Sequence, residues 1–292
     1  MDNLTGKTFV VTGATGRQGS AVVRHLRQAG AHVRALTRNP QSKKAKQIAV
    51  LGAELVTGDM VKPETLQTLF QDAAGVYSVQ NPYTSSFAAE IQQGKNVADA
   101  AKIAGVPHII QGSAGIGKPT GVPSWDSKLE IEEYIRSLGL SLTILRPMAF
   151  MELLTDPGFY PMAAAFHTMP KLMGADKKVP WLAIDDLGAI ATKAFADPTK
   201  YIGLDLKLAS DLRTINEVRA IYQEVLGKKA PHFPMPLFLF RRFTGDDLIL
   251  MYQYLRMATL DVNTNTTYTI LPDAHTVRSW LAEQKSKRLQ TK

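Results

Sequence analysis

Three stretches of this chain carry residue types whose chemistry depends on where they stand. The first is Gly13-Ala14-Thr15-Gly16-Arg17-Gln18-Gly19, which follows the apolar run Thr8-Phe9-Val10-Val11-Thr12 and opens an amphipathic stretch. A strand-to-helix turn of this kind needs glycine for its backbone angles, and it leaves N–H groups unobstructed at the positive end of a helix. Gly13, Thr15, Gly16, Arg17, Gln18 and Gly19 are therefore candidates to hold the pyrophosphate of a dinucleotide. The bland alternative is a tight turn and nothing more.

The second stretch ends the next apolar run, Ala35-Leu36-Thr37-Arg38-Asn39-Pro40. A carboxylate there would accept from the ribose hydroxyls of NAD. Arg38 instead suits a 2′-phosphate, since a guanidinium can stack on adenine and bind phosphate together. The expected cofactor is NADP(H), with Arg17 and Lys43 or Lys44 adding positive charge. Asp59, after the third apolar run, can accept from an adenine amino group or serve as a turn residue ahead of Pro63.

The third group would act on a substrate. Lys128 can do acid/base work if burial lowers its pKa, or polarise a carbonyl by charge alone. Its ordinary alternative is an exposed lysine paired with Glu132 one helical turn on. Ser113, at the end of the fifth apolar run, lies where ligands meet the carboxyl edge of a parallel sheet, and equally reads as a polar strand end. Val79 and Gln80, with Tyr77, Pro82 and Tyr83, follow the fourth run and are expected to line the nicotinamide side. Pro147, Phe150 and Met151 are expected against the nicotinamide ring and substrate, or in core packing.

These residues need a scaffold that brings strand ends together. Thr8 to Thr12, His32 to Leu36, Glu54 to Val56, Gly75 to Val79, His108 to Ile110 and Ser141 to Leu145 are short and nearly all apolar, as strands buried on both faces are. Helical patterns separate them at Gln18 to Gln28, Lys43 to Leu51, Glu64 to Phe70, Ala88 to Ala104 and Lys128 to Ser137, and Gly30, Gly52, Gly105 and Gly139 stand at helix ends. The alternation predicts an α/β fold, a doubly wound parallel sheet of Rossmann type, with a smaller α/β C-terminal substrate lobe. The expected division is 1–150 for the dinucleotide domain and 151–292 for the substrate or partner lobe, with segments around 179–208 returning to the Rossmann sheet. A Pro- and Met-rich stretch from Pro147 to Pro180 has no clear period, Thr214 and Glu217 have capping-box spacing, and Lys285 to Lys292 reads as a solvated tail.

Composition narrows the function classes. The 292 residues contain no cysteine, which removes disulfide scaffolds, thiolate metal sites and thiol nucleophiles. The six histidines fall in unrelated segments, so no metal is expected. Lys and Arg exceed Asp and Glu by 34 to 26, giving +8, yet no basic helix or aromatic-basic interleaving points to nucleic acid. The start Met1 to Lys7 lacks a signal-peptide pattern and no window is apolar enough to span a membrane, so a soluble cytoplasmic protein is expected. His232 to Phe243, rich in Phe, Leu and Pro with a double Arg, reads as core packing, a substrate lid or a docking surface.

Taken in order, the three glycines, Thr37-Arg38-Asn39-Pro40, Gly58-Asp59, Gln93-Gly94-Lys95, Lys128 with its Glu-rich helix, Leu145-Arg146-Pro147 and Phe150-Met151-Glu152 resemble the NmrA-like branch of the atypical short-chain dehydrogenase/reductases. The resemblance covers nearly the whole chain. It implies an NADP-type fold with a small lobe closing over the nicotinamide, and Lys95 and Lys128 match positions that contact cofactor. Typical short-chain dehydrogenases carry Tyr four residues before the Lys, where this chain has Ser124. The family includes reductases of quinone-like or phenolic substrates and dinucleotide sensors that bind a partner protein. The expected function is thus an NADPH-dependent reductase of a small quinone or carbonyl compound, or alternatively a non-catalytic NADP(H) redox sensor with a regulatory protein partner. Neither nucleic acid nor membrane is an expected partner.

Overall fold

The computed structural model describes residues 3–156, 158–159 and 164–290. Met1 and Asp2, residues 157 and 160–163 of the Pro- and Met-rich stretch, and the last two residues of the tail lie outside that description. Along the chain the regular elements are β1 (Thr8–Val11), α1 (Arg17–Gln28), β2 (His32–Thr37), α2 (Lys43–Val50), β3 (Glu54–Thr57), β4 (Gly75–Ser78), α3 (Phe87–Ile103), β5 (Ile109–Gly112), α4 (Pro123–Ser137), β6 (Leu142–Pro147), β7 (Ala149–Phe150), α5 (Met169–Met173), β8 (Val179–Leu182), α6 (Ile184–Ala196), α7 (Pro198–Tyr201), β9 (Asp205–Leu208), β10 (Asp211–Arg213), α8 (Ile215–Leu226), α9 (Leu237–Thr244), α10 (Asp247–Met257), α11 (Asn265–Ile270) and α12 (Val277–Gln290).

The chain forms two compact units, Met1–Pro119, Pro123–Arg146 and Ile184–Leu206 in the first, and Thr120–Val122, Pro147–Ala183 and Lys207–Lys292 in the second. The first is built on a seven-stranded sheet in the order β3-β2-β1-β4-β5-β6-β9. Strands β3 through β6 pair in parallel, as the near-continuous apolar runs require. The order reverses between β1 and β4, which makes the carboxyl ends of those strands the switch point where a doubly wound sheet opens a crevice. Leu66, Phe70, Val76, Val97, Ile109, Ile131 and Ile144 lie in one core beneath this sheet.

Two local departures from the sequence pattern have identifiable causes. The helix expected over Glu64 to Phe70 shrinks to a 3₁₀ turn, Pro63–Thr65. Thr65 Oγ1 accepts from the Asp59 N–H (2.9 Å) and lies 2.7 Å from the Lys62 carbonyl, offering the backbone an alternative to helix. Leu66, Leu69 and Phe70 are nonetheless fully buried, so the apolar spacing reported burial correctly. Helix α4, expected from Lys128, begins at Pro123, where the fixed φ of proline suits a first helical position.

The second unit has a three-stranded sheet, β10-β8-β7, with β8 antiparallel to β10 and parallel to β7. Its core gathers Phe166, Trp181, Tyr222, Phe240, Tyr252 and Trp280. The 179–208 stretch is therefore divided: β8 belongs to this smaller sheet, while α6 and the start of β9 belong to the first unit. Helix α8 opens on the expected capping box, with the Thr214 N–H donating to Glu217 (2.7 Å) and the Glu217 N–H donating to Thr214 Oγ1 (3.1 Å).

Candidate functional site

At the switch point the glycines are required by contact distances. Gly13 has φ +57, and a Cβ there would stand 2.9 Å from Val79 Cγ1 and 3.0 Å from the Val79 carbonyl oxygen. A Cβ on Gly19 would fall 2.3 Å from the Gly13 carbonyl oxygen, inside any allowed contact. The turn after β1 is thus pressed against the residue that follows β4. Thr12, fully buried, ties the two together: its hydroxyl accepts from the Val79 N–H (2.9 Å) and lies 3.2 Å from the Val79 carbonyl. Gly16 caps α1 without a side-chain hydrogen bond and the first turn of α1 holds no acidic residue. That helix end presents backbone donors to an anion.

Tyr77, expected to line the cleft, is instead fully buried, and its hydroxyl donates to Gln18 Oε1 at 3.1 Å. Burial pushes that phenol well above its ordinary pKa. Tyr77 and Gln18 therefore brace the glycine turn from below, and proton exchange at Tyr77 is disfavoured. Tyr83, by contrast, is 49% exposed, within the short 3₁₀ turn Pro82–Thr84.

Arg38 is exposed at the end of β2 and makes no ion pair or hydrogen bond among the described residues. Thr15 is half-buried and Arg17 exposed beside it in the glycine turn. Asp59 uses Oδ1 to accept from the Val61 N–H (3.2 Å), the turn role that its sequence context equally allowed. Lys95 lies on α3 with its ammonium 2.7 Å from Glu130 and 5.5 Å from the centre of the Tyr134 ring.

The buried chemistry centres on Lys128. Gly94 lets α3 and α4 approach closely, a Cβ there meeting Ile131 at 2.6 Å, and the two helices set Lys128 opposite Glu90. The ammonium lies 2.7 Å from Glu90 Oε1 and donates to the Gln80 carbonyl at 3.2 Å. Glu90 is fully buried, and its other oxygen accepts from Ser127 Oγ at 2.5 Å. The exposed Lys128–Glu132 pair that the helical spacing allows does not form; Glu132, also fully buried, pairs with Arg146. Ser124, at the position of the typical tyrosine, is buried in the first turn of α4.

Beside this pair lies a second charged cluster. Arg146, 1% exposed, holds Asp205 through Nε (2.6 Å) and a second nitrogen (2.8 Å), and also reaches Glu132, Ser113 Oγ (3.1 Å) and the Ala114 carbonyl (2.9 Å). Burial opposes its charge, but the carboxylates of Asp205 and Glu132 outweigh burial and raise its pKa. Ser113 is 1% exposed, donates to Glu132 and accepts from Arg146. Its hydroxyl thus works within the cluster, fixing the end of β5. Val79 and Gln80 are buried after β4, and the Gln80 side chain bridges Ser78 Oγ (2.9 Å) and Gln111 (3.2 Å). In the second unit, Pro147 ends β6, and Phe150 on β7 lies with its ring 6.1 Å from that of Phe159.

Sequence reasoning missed Thr12, Glu90 and the Glu132–Arg146 pair. Glu90 had a signal: Glu90, Gly94, Val97 and Ala101 share one helical face, and a carboxylate on an otherwise apolar face calls for a buried partner. Among the described residues, no three His, Asp or Glu side chains gather to hold a metal.

A model of the NmrA-like family matches residues 5–270. The NmrA-like family domain-containing oxidoreductase FrzB of Cladobotryum sp. is 32% identical over 257 residues, 78% of this chain and 76% of that protein. Among solved structures, NmrA, a negative transcriptional regulator in complex with NADP, matches with a TM-score of 0.79 at 21% identity, covering 100% of this chain and 98% of that one. The triphenylmethane reductase of Citrobacter sp., complexed with NADP(H), matches with a TM-score of 0.76 at 22% identity over 95% of this chain and 99% of that one. These structural likenesses speak for the Rossmann-type fold, and the family model together with the curated relative settles membership: the chain belongs to the NmrA-like family.

Proposed function

We propose that this protein is an NADPH-dependent reductase of a small quinone or carbonyl compound. The observation that carries the reading is the buried Lys128 ammonium, held by Glu90 against the carbonyl of Gln80, directly after the strand that abuts the glycine turn. A nicotinamide dinucleotide, when bound, supplies the hydride. The glycine turn and the uncapped end of α1 fit its pyrophosphate, since neither a side-chain cap nor an acidic residue in the first turn competes for the backbone donors there. Arg38 binds the 2′-phosphate, with Thr15, Arg17 and Gln18 around the pyrophosphate, Asp59 toward the adenine, Lys95 near the ribose side, and Pro147 and Phe150 toward the nicotinamide. Lys128 has three N–H donors, of which two are placed on Glu90 and Gln80. The third polarises the substrate carbonyl, stabilising the negative charge that develops on its oxygen. Ser113 supports this arrangement by fixing the end of β5 through Glu132 and Arg146.

The relative FrzB is named an oxidoreductase, and the Citrobacter protein a reductase; both support turnover. Ser124, where the typical phenol would stand, and the likeness to NmrA, a negative transcriptional regulator, support the second reading, an NADP(H) sensor acting on a partner protein. NADPH oxidation by the purified chain against a panel of quinones and aldehydes separates the two. Turnover with at least one acceptor is expected; tight NADPH binding without turnover of any acceptor would discard the reductase in favour of the sensor.

A further inference from the structure

The second unit carries a separate pattern of its own. Between Glu224 and Asp246 the chain carries Lys228, Lys229, Arg241 and Arg242 and no acidic residue. The same stretch exposes large apolar side chains: Phe238 and Phe243 are each 70% exposed, Phe233 58% and Leu237 47%. On α9 only Phe240 is buried, inserted into the core of the second unit. A helix this apolar normally hides a face, and one pinned by a single side chain leaves most of that surface to a partner. Arg241 pairs with Asp246, whereas Lys228, Lys229 and Arg242 make no ion pair among the described residues.

The lead into α9 is also restrained. Pro231, Pro234 and Pro236 fix the backbone leading into α9, and the His232 ring packs edge-on to the buried His167 ring at 4.8 Å. A backbone restrained in this way lowers the entropy cost of docking.

Charge decides which partner fits. A second copy would set this patch against itself, since a two-fold interface is self-complementary, and would place Lys228, Lys229 and Arg242, which have no ion pair among the described residues, against the same three. Protruding phenylalanines on a short helix do not need a matching concavity if they enter a fluid medium, and their basic neighbours match anionic headgroups. We propose that residues 228–243 dock this protein peripherally on an anionic lipid surface, Phe238 and Phe243 entering the acyl boundary while Lys228, Lys229 and Arg242 meet the headgroups. This is surface contact only, as no helix among the described residues is long and apolar enough to cross a membrane. The proposal stands independently of the reductase reading.

The test is co-sedimentation of the full chain with phosphatidylcholine vesicles, with and without phosphatidylserine. More protein should pellet with the anionic vesicles, and less as salt is raised. The double variant Phe238→Ser/Phe243→Ser should lose at least about tenfold in vesicle affinity, and Arg242→Gln about fivefold, with thermal unfolding and NADPH affinity unchanged because these side chains are exposed. Equal pelleting with both vesicle types, or variants that pellet like the wild type, would overturn the proposal. So would sedimentation of the lipid-free wild type as a dimer that the double phenylalanine variant dissociates, which would assign the patch to a second copy; retention on an acidic protein but not on vesicles would overturn it in favour of a protein partner.

Discussion

Lys128 and Glu90 are 38 positions apart and mutually dependent, since each would be a buried charge without the other. Glu90 is fully buried and the Lys128 side chain is 10% exposed. Breaking such a pair by removing one partner costs about 3–5 kcal/mol, whereas replacing both with apolar groups of similar volume is often neutral. Lys128→Met and Glu90→Gln should each lower unfolding free energy in denaturant titrations by roughly that range of 3–5 kcal/mol, and Lys128→Met/Glu90→Leu should recover most of the loss. If the proposed role of Lys128 holds, the recovered double variant folds and binds NADPH but does not turn over; activity in that variant would confine Lys128 to a structural role. Arg38 offers an independent test at the same scale, because it is exposed and has no partner among the described residues. A charge-assisted hydrogen bond contributes about 1.5–3 kcal/mol. Arg38→Ala should therefore weaken NADPH binding by about ten- to a hundredfold, with NADH affinity changing little. Equal losses for both nucleotides in calorimetric titrations would remove the 2′-phosphate assignment.

Among the elements, the turn joining β1 to α1 has the least tolerance. Gly19→Ala places a Cβ where the Gly13 carbonyl oxygen stands 2.3 Å away, and backbone cannot yield as a flexible side-chain tip can. Overpacking of this kind costs about 1–3 kcal/mol, so the variant should melt at lower temperature and bind nucleotide more weakly. Retention of both wild-type values would mean that the turn shifts freely. This turn was legible in the sequence because its glycines answer a local demand, and β1 to β6 were legible because strands buried on both faces read as continuous apolar runs. The 3₁₀ turn at Pro63–Thr65 was not, since Thr65 competes for the backbone while Leu66, Leu69 and Phe70 keep helical spacing. The partner of Lys128 was not either: local spacing offered Glu132, and only the packing of α3 on α4 through Gly94 substitutes Glu90. Arg146 in turn bonds Glu132 and Ser113, so a serine that sequence position offered either to substrate or to the strand end is tied into this buried cluster.

For the molecule as a whole, the charge of +8 divides by location. Arg146 and Lys128 are neutralised by buried carboxylates, while Arg38 and the basic stretch from Lys228 to Arg242 leave charge at the surface. Global stability has its own titrating group in His108, 2% exposed just before β5. Thr143 Oγ1 donates to the Tyr201 carbonyl at 2.7 Å, so at 2.8 Å it must accept from His108 Nε2–H. Among the described residues Nδ1 has no hydrogen-bond partner, and the ring stands edge-on to Phe195 at 5.4 Å. Burial pushes the pKa of His108 down to about 4 from its ordinary 6.5. Between those values the unfolded chain binds a proton that the native state refuses, so stability falls as pH is lowered through that window and is fully present above it. The slope is about 1.4 kcal/mol per pH unit, or roughly 3 kcal/mol over the whole window. His108→Gln keeps an N–H for Thr143 and has nothing to titrate. Urea unfolding at pH 7 and pH 5 should therefore show a smaller loss of stability on acidification for the variant than for the wild type, and identical losses would show that His108 is protonated in the native fold without penalty.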